Sequence, residues 1–218
     1  MSDGVEVSHA IPQNWGAVND LAFNATGQLL AVAAGKEDIH VWNLKNDTLL
    51  VTPHIGHGQL NSCAFAQGGR FLLIGNEDGS IVVLDTNTWL PVGTGSHTGR
   101  KPVTGLSVSP RGSFIASSDG TEVLLWQLDP FRPAGNRVQP KGARISAIAL
   151  SPDGQILATG LGNGTTVLWE AATGQQLVPA LEGHDVSYVG SVTFSADGRF
   201  LASGSGDKTV SLWSLGQE

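Results

Sequence analysis

The sequence predicts an all-β protein built from tandem repeats, and three observations support this fold class. Short apolar runs alternate with polar residues at a period of two, which is typical of half-buried strands. Turn-forming triplets such as residues 196–198 (Ala-Asp-Gly) and 206–208 (Gly-Asp-Lys) separate these runs. No useful length of the chain shows the 3.6-residue apolar stripe of a helix.

Two landmarks recur at a nearly constant interval and set the number of repeats. A large apolar residue closes each unit, at Trp42, Leu84, Trp126, Trp169 and Trp213, with steps of 42, 42, 43 and 44 residues. A turn glycine recurs at Gly27, Gly69, Gly112, Gly154 and Gly198, with steps of 42, 43, 42 and 44 residues. Because two independent landmarks keep one period, the chain contains five repeats.

The last repeat shows the pattern most clearly. Residues 183–213 read GHDVSYVGSVTFSADGRFLASGSGDKTVSLW, with a Gly-His pair at the start and a Trp at the end. This unit resembles a WD repeat of a β-propeller, whose repeats are about 40–45 residues long. The resemblance implies that residues 1–218 form a single propeller domain of five four-stranded antiparallel blades.

Each blade can be placed on the sequence from this resemblance. The five blades are expected at approximately residues 17–50, 57–95, 102–139, 144–181 and 189–215. In the first blade, residues 18–23, 29–33 and 39–42 are predicted to form the first three strands. The later blades repeat this arrangement, and residues 129–140, with three prolines, are expected to form a looser outer strand and loop.

The two ends of the chain are complementary in phase. Residues 4–10 align with residues 174–180, which follow Trp169 and correspond to an outermost, fourth strand. The chain therefore begins with a fourth strand and ends with a third strand. The resemblance implies that residues 4–10 complete the last blade and close a monomeric ring, which removes exposed sheet edges. Since five blades are few for this family, an open arc completed by a second chain is the competing hypothesis.

Composition limits the classes of function. A net charge of −7 and a pI near 5.2 argue against a general nucleic-acid-binding surface. The N-terminus lacks the features of a secretory signal, and no stretch approaches 18 apolar residues, so neither secretion nor a membrane span is expected. The one cysteine, Cys63, occupies the core position of Val192 and is predicted to be a small buried residue. A cytoplasmic location is therefore expected.

One constellation suggests catalysis but has a structural interpretation. Ser203, His184 and Asp207 are the residue types of a hydrolase triad. The resemblance implies instead that they form a buried hydrogen-bonded tetrad with Trp213, a structural element of WD repeats. The tetrad is reduced in other blades: Ile74 and Leu84 replace two members in blade two, blade four lacks the histidine, and blade one has Val32 and Lys36.

No sequence pattern indicates a metal site or a cofactor. The histidines lack the spacing of zinc ligands, and the glycine-rich runs lie between strands without a phosphate-binding lysine. We therefore predict no catalytic residues, no metal, no cofactor and no enzymatic activity.

The loops that lead into the inner strands are the candidate partner-binding face. These entering loops are residues 13–16, 58–59, 97–102, 141–144 and 185–188. They contain Trp15, Tyr188 and four basic residues, namely Arg100, Lys101, Lys141 and Arg144. Aromatic residues and arginine dominate interface hot spots, so the loops suit an acidic protein or peptide. The competing interpretations are that the loops are merely exposed, with Trp15 capping the core, or that a partner binds the rim or the opposite face.

Three functional classes follow. The first is a non-enzymatic protein-interaction scaffold that belongs to a larger assembly. The alternative is a propeller that binds a small ligand or carbohydrate between blades, but Trp15, Trp89, Phe131 and Tyr188 are not at equivalent positions in their repeats. The third class, an enzyme, requires carboxylates or histidines clustered on the entering loops, where the sequence offers mainly His97 and Asp185. We expect the scaffold.

Overall fold

The protein folds as five successive antiparallel sheets, which we call blades one to five. The computed structural model describes residues 16–51, 53–97, 99–110, 114–185 and 187–216. Blade one contains β1 (Val18–Phe23), β2 (Leu29–Ala34), β3 (Lys36–Asn43) and β4 (Thr48–Val51). Blade two contains β5 (His54–Ala66), β6 (Phe71–Asn76), β7 (Ser80–Asp85) and β8 (Pro91–Ser96).

The last three blades follow the same order. Blade three contains β9 (Gly105–Val108), β10 (Phe114–Ser118), β11 (Val123–Gln127) and β12 (Arg132–Val138). Blade four contains β13 (Ile145–Leu150), β14 (Ile156–Leu161), β15 (Thr165–Glu170) and the short β16 (Leu181–Glu182). Blade five contains β17 (Val189–Phe194), β18 (Phe200–Ser205) and β19 (Val210–Ser214). The all-β class is thus confirmed, and residues 4–10, predicted as the closing strand, lie outside the described residues.

Within a blade each strand pairs with its neighbour in sequence, so the blade is an antiparallel meander. In blade five, for example, Leu201 of β18 pairs with Phe194 on one side and Trp213 on the other. Strands β3 and β5 also pair, which joins the sheets of blades one and two. The third strand of blades one to four pairs with a fourth strand, whereas β19 has no such partner among the described residues.

The periodic glycines have a local physical cause. Gly27, Gly69, Gly154 and Gly198 connect the first and second strands of their blades with φ angles of 68°, 105°, 77° and 78°. A residue with a Cβ rarely adopts this left-handed region, so the turn selects glycine. The regular spacing of these glycines in the sequence therefore reflects the same turn geometry in each of these blades.

In the part of the chain that the structure describes, the core consists of four apolar clusters, each formed between two successive blades. Ile39 and Val41 of blade one, for instance, pack with Leu72 and Ile74 of blade two. Cys63 lies in the same cluster, buried as predicted, and burial raises the pKa of its thiol to about 12. The blades are therefore held together face to face by side-chain burial.

The two ends of the stack leave apolar faces uncovered. Val210 and Leu212 on β19 are 76% and 68% exposed, whereas the equivalent Ile81 and Val83 of blade two are fully buried. Val18 on β1 is likewise 49% exposed, although its counterparts Leu60, Ile145 and Val189 in blades two, four and five are buried. Among the described residues, no hydrogen bond closes blade five onto blade one, and no helix is long and apolar enough to cross a bilayer.

Candidate functional site

The four residues predicted as the tetrad of blade five lie in one hydrogen-bonded chain. Trp213 Nε1 donates to Ser203 Oγ at 3.1 Å, and His184 Nε2 lies 2.8 Å from the same oxygen. On the other side of the imidazole, His184 Nδ1 lies 3.2 Å from Asp207 Oδ2. This network connects His184, which directly precedes the entering loop of blade five, to β18, to the following turn and to β19.

Asp207 is held by its own turn. The side chain and backbone N–H of Thr209 donate to one carboxylate oxygen, and the Asp185 N–H donates to the other. These hydrogen bonds, with the nearby His184, outweigh partial desolvation and lower the pKa of Asp207 to about 2. Since this pKa lies below the usual 3.8, the ionised carboxylate stabilises the fold above pH 4, and that contribution is lost as the pH falls through 2.

Blade three contains a second network that the sequence analysis missed. His97 Nε2 lies 2.8 Å from Ser117 Oγ, and Trp126 Nε1 donates to this oxygen at 2.8 Å. Asp119 completes the set, although its Oδ2 is 3.9 Å from His97 Nδ1. The Ser-x-Asp spacing and Trp126 were visible in the sequence, but His97 follows a serine instead of the usual glycine.

The remaining blades keep only parts of the network. In blade four, Trp169 Nε1 donates to Thr159 Oγ1 at 2.9 Å. In blade one, the indole of Trp42 turns to the surface and donates to Asp47 at 3.1 Å. The blades are consequently not interchangeable, and the face that they form is asymmetric.

The entering loops and the turns between second and third strands lie side by side on one face. The turn of blade two touches the loop of blade three, where a Cβ on Gly79 would approach the Lys101 carbonyl to 2.6 Å. The next turn receives a hydrogen bond from the Ile145 N–H to the Gly120 carbonyl at 2.9 Å. In blade five, the Gly206 N–H donates to the Tyr188 carbonyl at 3.1 Å. These contacts fix the positions of the loops relative to the blades.

The predicted basic residues cluster in the part of this face formed by blades three and four. Arg100, Lys101, Lys141 and Arg144 are all exposed. Lys101 Nζ donates to Thr121 Oγ1 at 3.0 Å, and the Arg144 guanidinium lies over Gly120. Lys101 and Arg144 therefore contact neighbouring residues, Thr121 and Gly120, of the same turn in blade three.

Acidic side chains flank this basic area. Glu77 and Asp78 are exposed in the turn of blade two, and Asp185 is exposed in the loop of blade five. Asp185 was already visible in the sequence as a carboxylate of the entering loops. The entering loops of blades three and four therefore carry the basic residues, whereas exposed carboxylates lie on the same face in blades two and five.

Tyr188 lies beside the basic area, in blade five. It is 56% exposed, and its ring packs against Gly206 in the adjacent turn. Trp15, the other predicted aromatic contact, lies outside the described residues. On the opposite face, a groove between blades four and five is lined by residues that include Asp153, Asp197 and Arg199.

A comparison with known repeat families identifies the family of this fold. The profile described as "WD domain, G-beta repeat" matches residues 6–43, 48–85, 89–127, 137–170 and 175–214. Each match ends at the last residue of a third strand, from Asn43 in blade one to Ser214 in blade five. This chain belongs to the WD-repeat family. WD repeats generally mediate protein–protein interactions.

Relatives share the repeats over a limited part of their length. The Periodic tryptophan protein 2 homolog of Dictyostelium discoideum is 30% identical over 175 residues, which is 77% of this chain and 18% of that protein. The homolog of Caenorhabditis elegans is 25% identical over 199 residues, which is 84% of this chain and 22% of that protein. The WD-repeat chain thus spans 18 to 22% of the length of these curated relatives.

Proposed function

We propose that this WD-repeat protein is a non-enzymatic scaffold that binds an acidic protein or peptide segment through its entering loops. The observation that supports this most is the cluster of exposed Arg100, Lys101, Lys141 and Arg144 on one side of blades three and four. A rigid sheet framework holds these loops in place, as is common for binding sites.

The chemistry of the area suits a carboxylate-rich ligand. An arginine presents a planar guanidinium that pairs with a carboxylate in a bidentate manner. Among the described residues, no carboxylate lies within 4.0 Å of Arg100, Lys141 or Arg144, so these cations remain available to a partner. Tyr188 adds a rigid aromatic surface of the kind that is enriched at hot spots.

The flanking carboxylates restrict the orientation of such a ligand. An acidic segment over blade three or four meets the basic area, whereas over Glu77 and Asp78 it meets like charge. Juxtaposed like charges are unfavourable and suppress incorrect registers. We propose that this charge pattern gives the scaffold its preference for one binding position, with Trp15 as a further contact.

The Ser-His-Asp set of blade five supports the non-enzymatic assignment. Ser203 is only 1% exposed, and its oxygen accepts the hydrogen bond of Trp213. A catalytic serine needs an accessible oxygen beside a site that stabilises an oxyanion. The network of Ser203, His184 and Asp207 therefore suits a structural role.

We also propose that the ring closes through residues 4–10. The first family match starts at residue 6, before β1, and the corresponding parts of the next two matches contain β4 and β8. A strand at residues 4–10 would pair with β19, and the uncovered faces of blades one and five would pack together. The proposed product is a monomeric ring that acts as a subunit of a larger, cytoplasmic assembly, in agreement with the single unpaired Cys63.

A peptide selection tests the binding proposal. Peptides selected from a random displayed library on the immobilised protein are expected to be enriched in Asp and Glu. Their binding is expected to weaken with added salt and to be lost in Arg144→Glu, while Tyr188→Ala weakens it. Enrichment without any bias toward acidic residues, or selected peptides that bind Arg144→Glu as tightly as the wild type, would refute the proposed site.

A further inference from the structure

Three potential metal ligands meet beside the network of blade three. His97 follows β8, while Asp119 and Glu122 belong to the turn between β10 and β11. One ligand atom of each lies within 4.8 Å of the others, and all three residues are buried. His97 Nδ1 is 3.9 Å from Asp119 Oδ2 and 3.7 Å from Glu122 Oε1. Both distances exceed the range of a hydrogen bond.

His97 Nδ1 is a buried nitrogen without a hydrogen-bond partner. The His97 side chain is fully buried, and the nearer of the two carboxylate oxygens that face its Nδ1, Glu122 Oε1, is 3.7 Å away, which is too long for a hydrogen bond of ordinary geometry. Leaving a buried polar atom unpaired is costly, so such an atom calls for an explanation. Its position, facing two carboxylate oxygens, indicates that it serves a ligand.

Each of the three ligands is held through its other atom. Ser117 bonds His97 Nε2, and Arg137 Nη1 lies 3.1 Å from Glu122 Oε2. Asp119 Oδ1 accepts hydrogen bonds from the Thr121 side chain and from the N–H groups of Thr121 and Glu122. In metal sites, hydrogen bonds to the second atom of each ligand orient the coordinating atom in this manner.

Blade five shows how the same network looks without the third carboxylate. Thr209 occupies the place of Glu122, since each residue directly precedes the third strand of its blade. His184 Nδ1 lies 2.9 Å from the Thr209 hydroxyl and 3.2 Å from Asp207 Oδ2. This nitrogen therefore has hydrogen-bond partners. In blade three, Glu122 brings a second carboxylate and leaves a wider gap.

We propose that His97 Nδ1, Asp119 and Glu122 bind one divalent transition-metal ion such as Zn²⁺. One imidazole and two carboxylates form a donor set that zinc accepts, with bonds of about 2.0–2.2 Å and a fourth position left for water. In the tautomer with a proton on Nε2, the Ser117 oxygen accepts from both His97 and Trp126, and Nδ1 offers its lone pair. The ion would connect the segment after blade two to the turn of blade three.

Charge at this position modulates the affinity. Lys101 Nζ is 4.0 Å from Asp119 Oδ2 and competes for the same oxygen that the ion needs. Lys101→Met is therefore expected to bind the metal more tightly than the wild type.

Titration of the tag-free, chelator-treated protein with Zn²⁺ and Co²⁺ tests the site. Calorimetry is expected to show one tight ion per chain, and the visible spectrum of bound Co²⁺ reports its coordination. Bound ion is also expected to raise the melting temperature, because it binds the folded state. Glu122→Gln removes one charged ligand and should weaken the affinity at least about tenfold.

Two further variants keep the result interpretable. Glu122→Thr reproduces the residue of blade five, so it should fold and lose the ion. Glu77→Gln removes an exposed carboxylate in blade two and should bind the ion as the wild type does. The proposal is overturned if the wild type binds no ion. In that case the three residues would share a proton and not a metal. Equal affinity in both Glu122 variants and the wild type would also overturn it.

Discussion

Two serine hydroxyls, Ser117 and Ser203, each hold a tryptophan and a histidine from different segments of the chain. Both histidine side chains are fully buried, whereas Trp126 of blade three is buried and Trp213 of blade five is only partly buried. An oxygen that satisfies two buried groups contributes mainly by preventing the cost of leaving them unpaired. The tetrad of blade three is therefore expected to contribute more to the free energy of unfolding than the tetrad of blade five.

Ser117→Ala is expected to lower the free energy of unfolding more than Ser203→Ala does. Each buried group left without a partner costs about 1–3 kcal/mol, and the groups around Ser117 are the more buried. Chemical denaturation of both variants measures the difference, with the exposed Ser191→Ala as control. Stabilities of both variants within error of that control would contradict the structural role of the networks.

At the residue level the sequence revealed one network and missed the other. Blade five could be recognised because Gly183-His184 and Trp213 stand at the expected places. His97 follows a serine, so the Gly-His pair that marks the start of the last repeat is absent in blade three, and the contact of His97 with Ser117 becomes visible only in the fold. Glu122 was missed for a related reason. Its proposed role as a metal ligand depends on the position of His97 Nδ1 beside it, which only the fold shows.

At the scale of the strands, the outer strand of one blade packs against the third strand of the next. A Cβ added to Gly95 on β8 would lie 2.5 Å from Trp126 Cζ3 on β11. The indole cannot move away freely, because Trp126 bonds Ser117 and stacks on Phe131 with ring centroids 5.3 Å apart. Gly95 is thus selected by the space that the tryptophan occupies.

Gly95→Ala is expected to destabilise the protein by about 1–3 kcal/mol, the usual cost of overpacking a tight contact. Gly105→Ala on β9 is the matched control, because its nearest neighbour, Ile148 Cγ1, is at an ordinary 3.7 Å. Thermal unfolding of both variants measures the comparison. A Gly95→Ala variant as stable as Gly105→Ala would show that the indole position is not fixed.

The strands themselves were largely predictable from the alternating pattern. The inner strand of blade one, residues 18–23, was predicted with the bounds that the structure shows. The outer strands were less predictable: β12 (Arg132–Val138) forms where the prolines indicated a looser strand and loop, and β16 has only two residues. Outer strands lack the strict alternation because little of either face is buried: β8, for example, contains no buried residue.

At the scale of the whole molecule, the uncovered ends of the blade stack are its main unexplained surface. Leu212 is 68% exposed, although the equivalent Leu125 and Leu168 are buried at 1% and 4%. Sealing blade five against blade one would bury such positions as in the rest of the stack. This contact lies beyond what the repeat pattern alone could decide, because the pattern predicts blades but not the curvature that closes them.

Leu212→Asp is expected to destabilise the protein by more than about 2 kcal/mol if the ring is sealed, since a charge would be buried. The solution mass is expected to be that of one chain. In an open arc, the same substitution on an exposed side chain would change stability by less than about 0.5 kcal/mol. A stable dimer that is disrupted by Leu212→Asp would show that a second copy covers the end instead.

The most direct test of the scaffold proposal is quantitative affinity capture from the native source. Wild-type protein, Arg144→Glu and Arg199→Glu are compared, the last being a matched charge reversal in the turn between β17 and β18 on the opposite face. We predict that Arg144→Glu loses the proteins that the wild type captures, while Arg199→Glu retains them, with all three proteins equally folded. Loss in Arg199→Glu with full retention in Arg144→Glu would contradict the account and place the interaction on the opposite face.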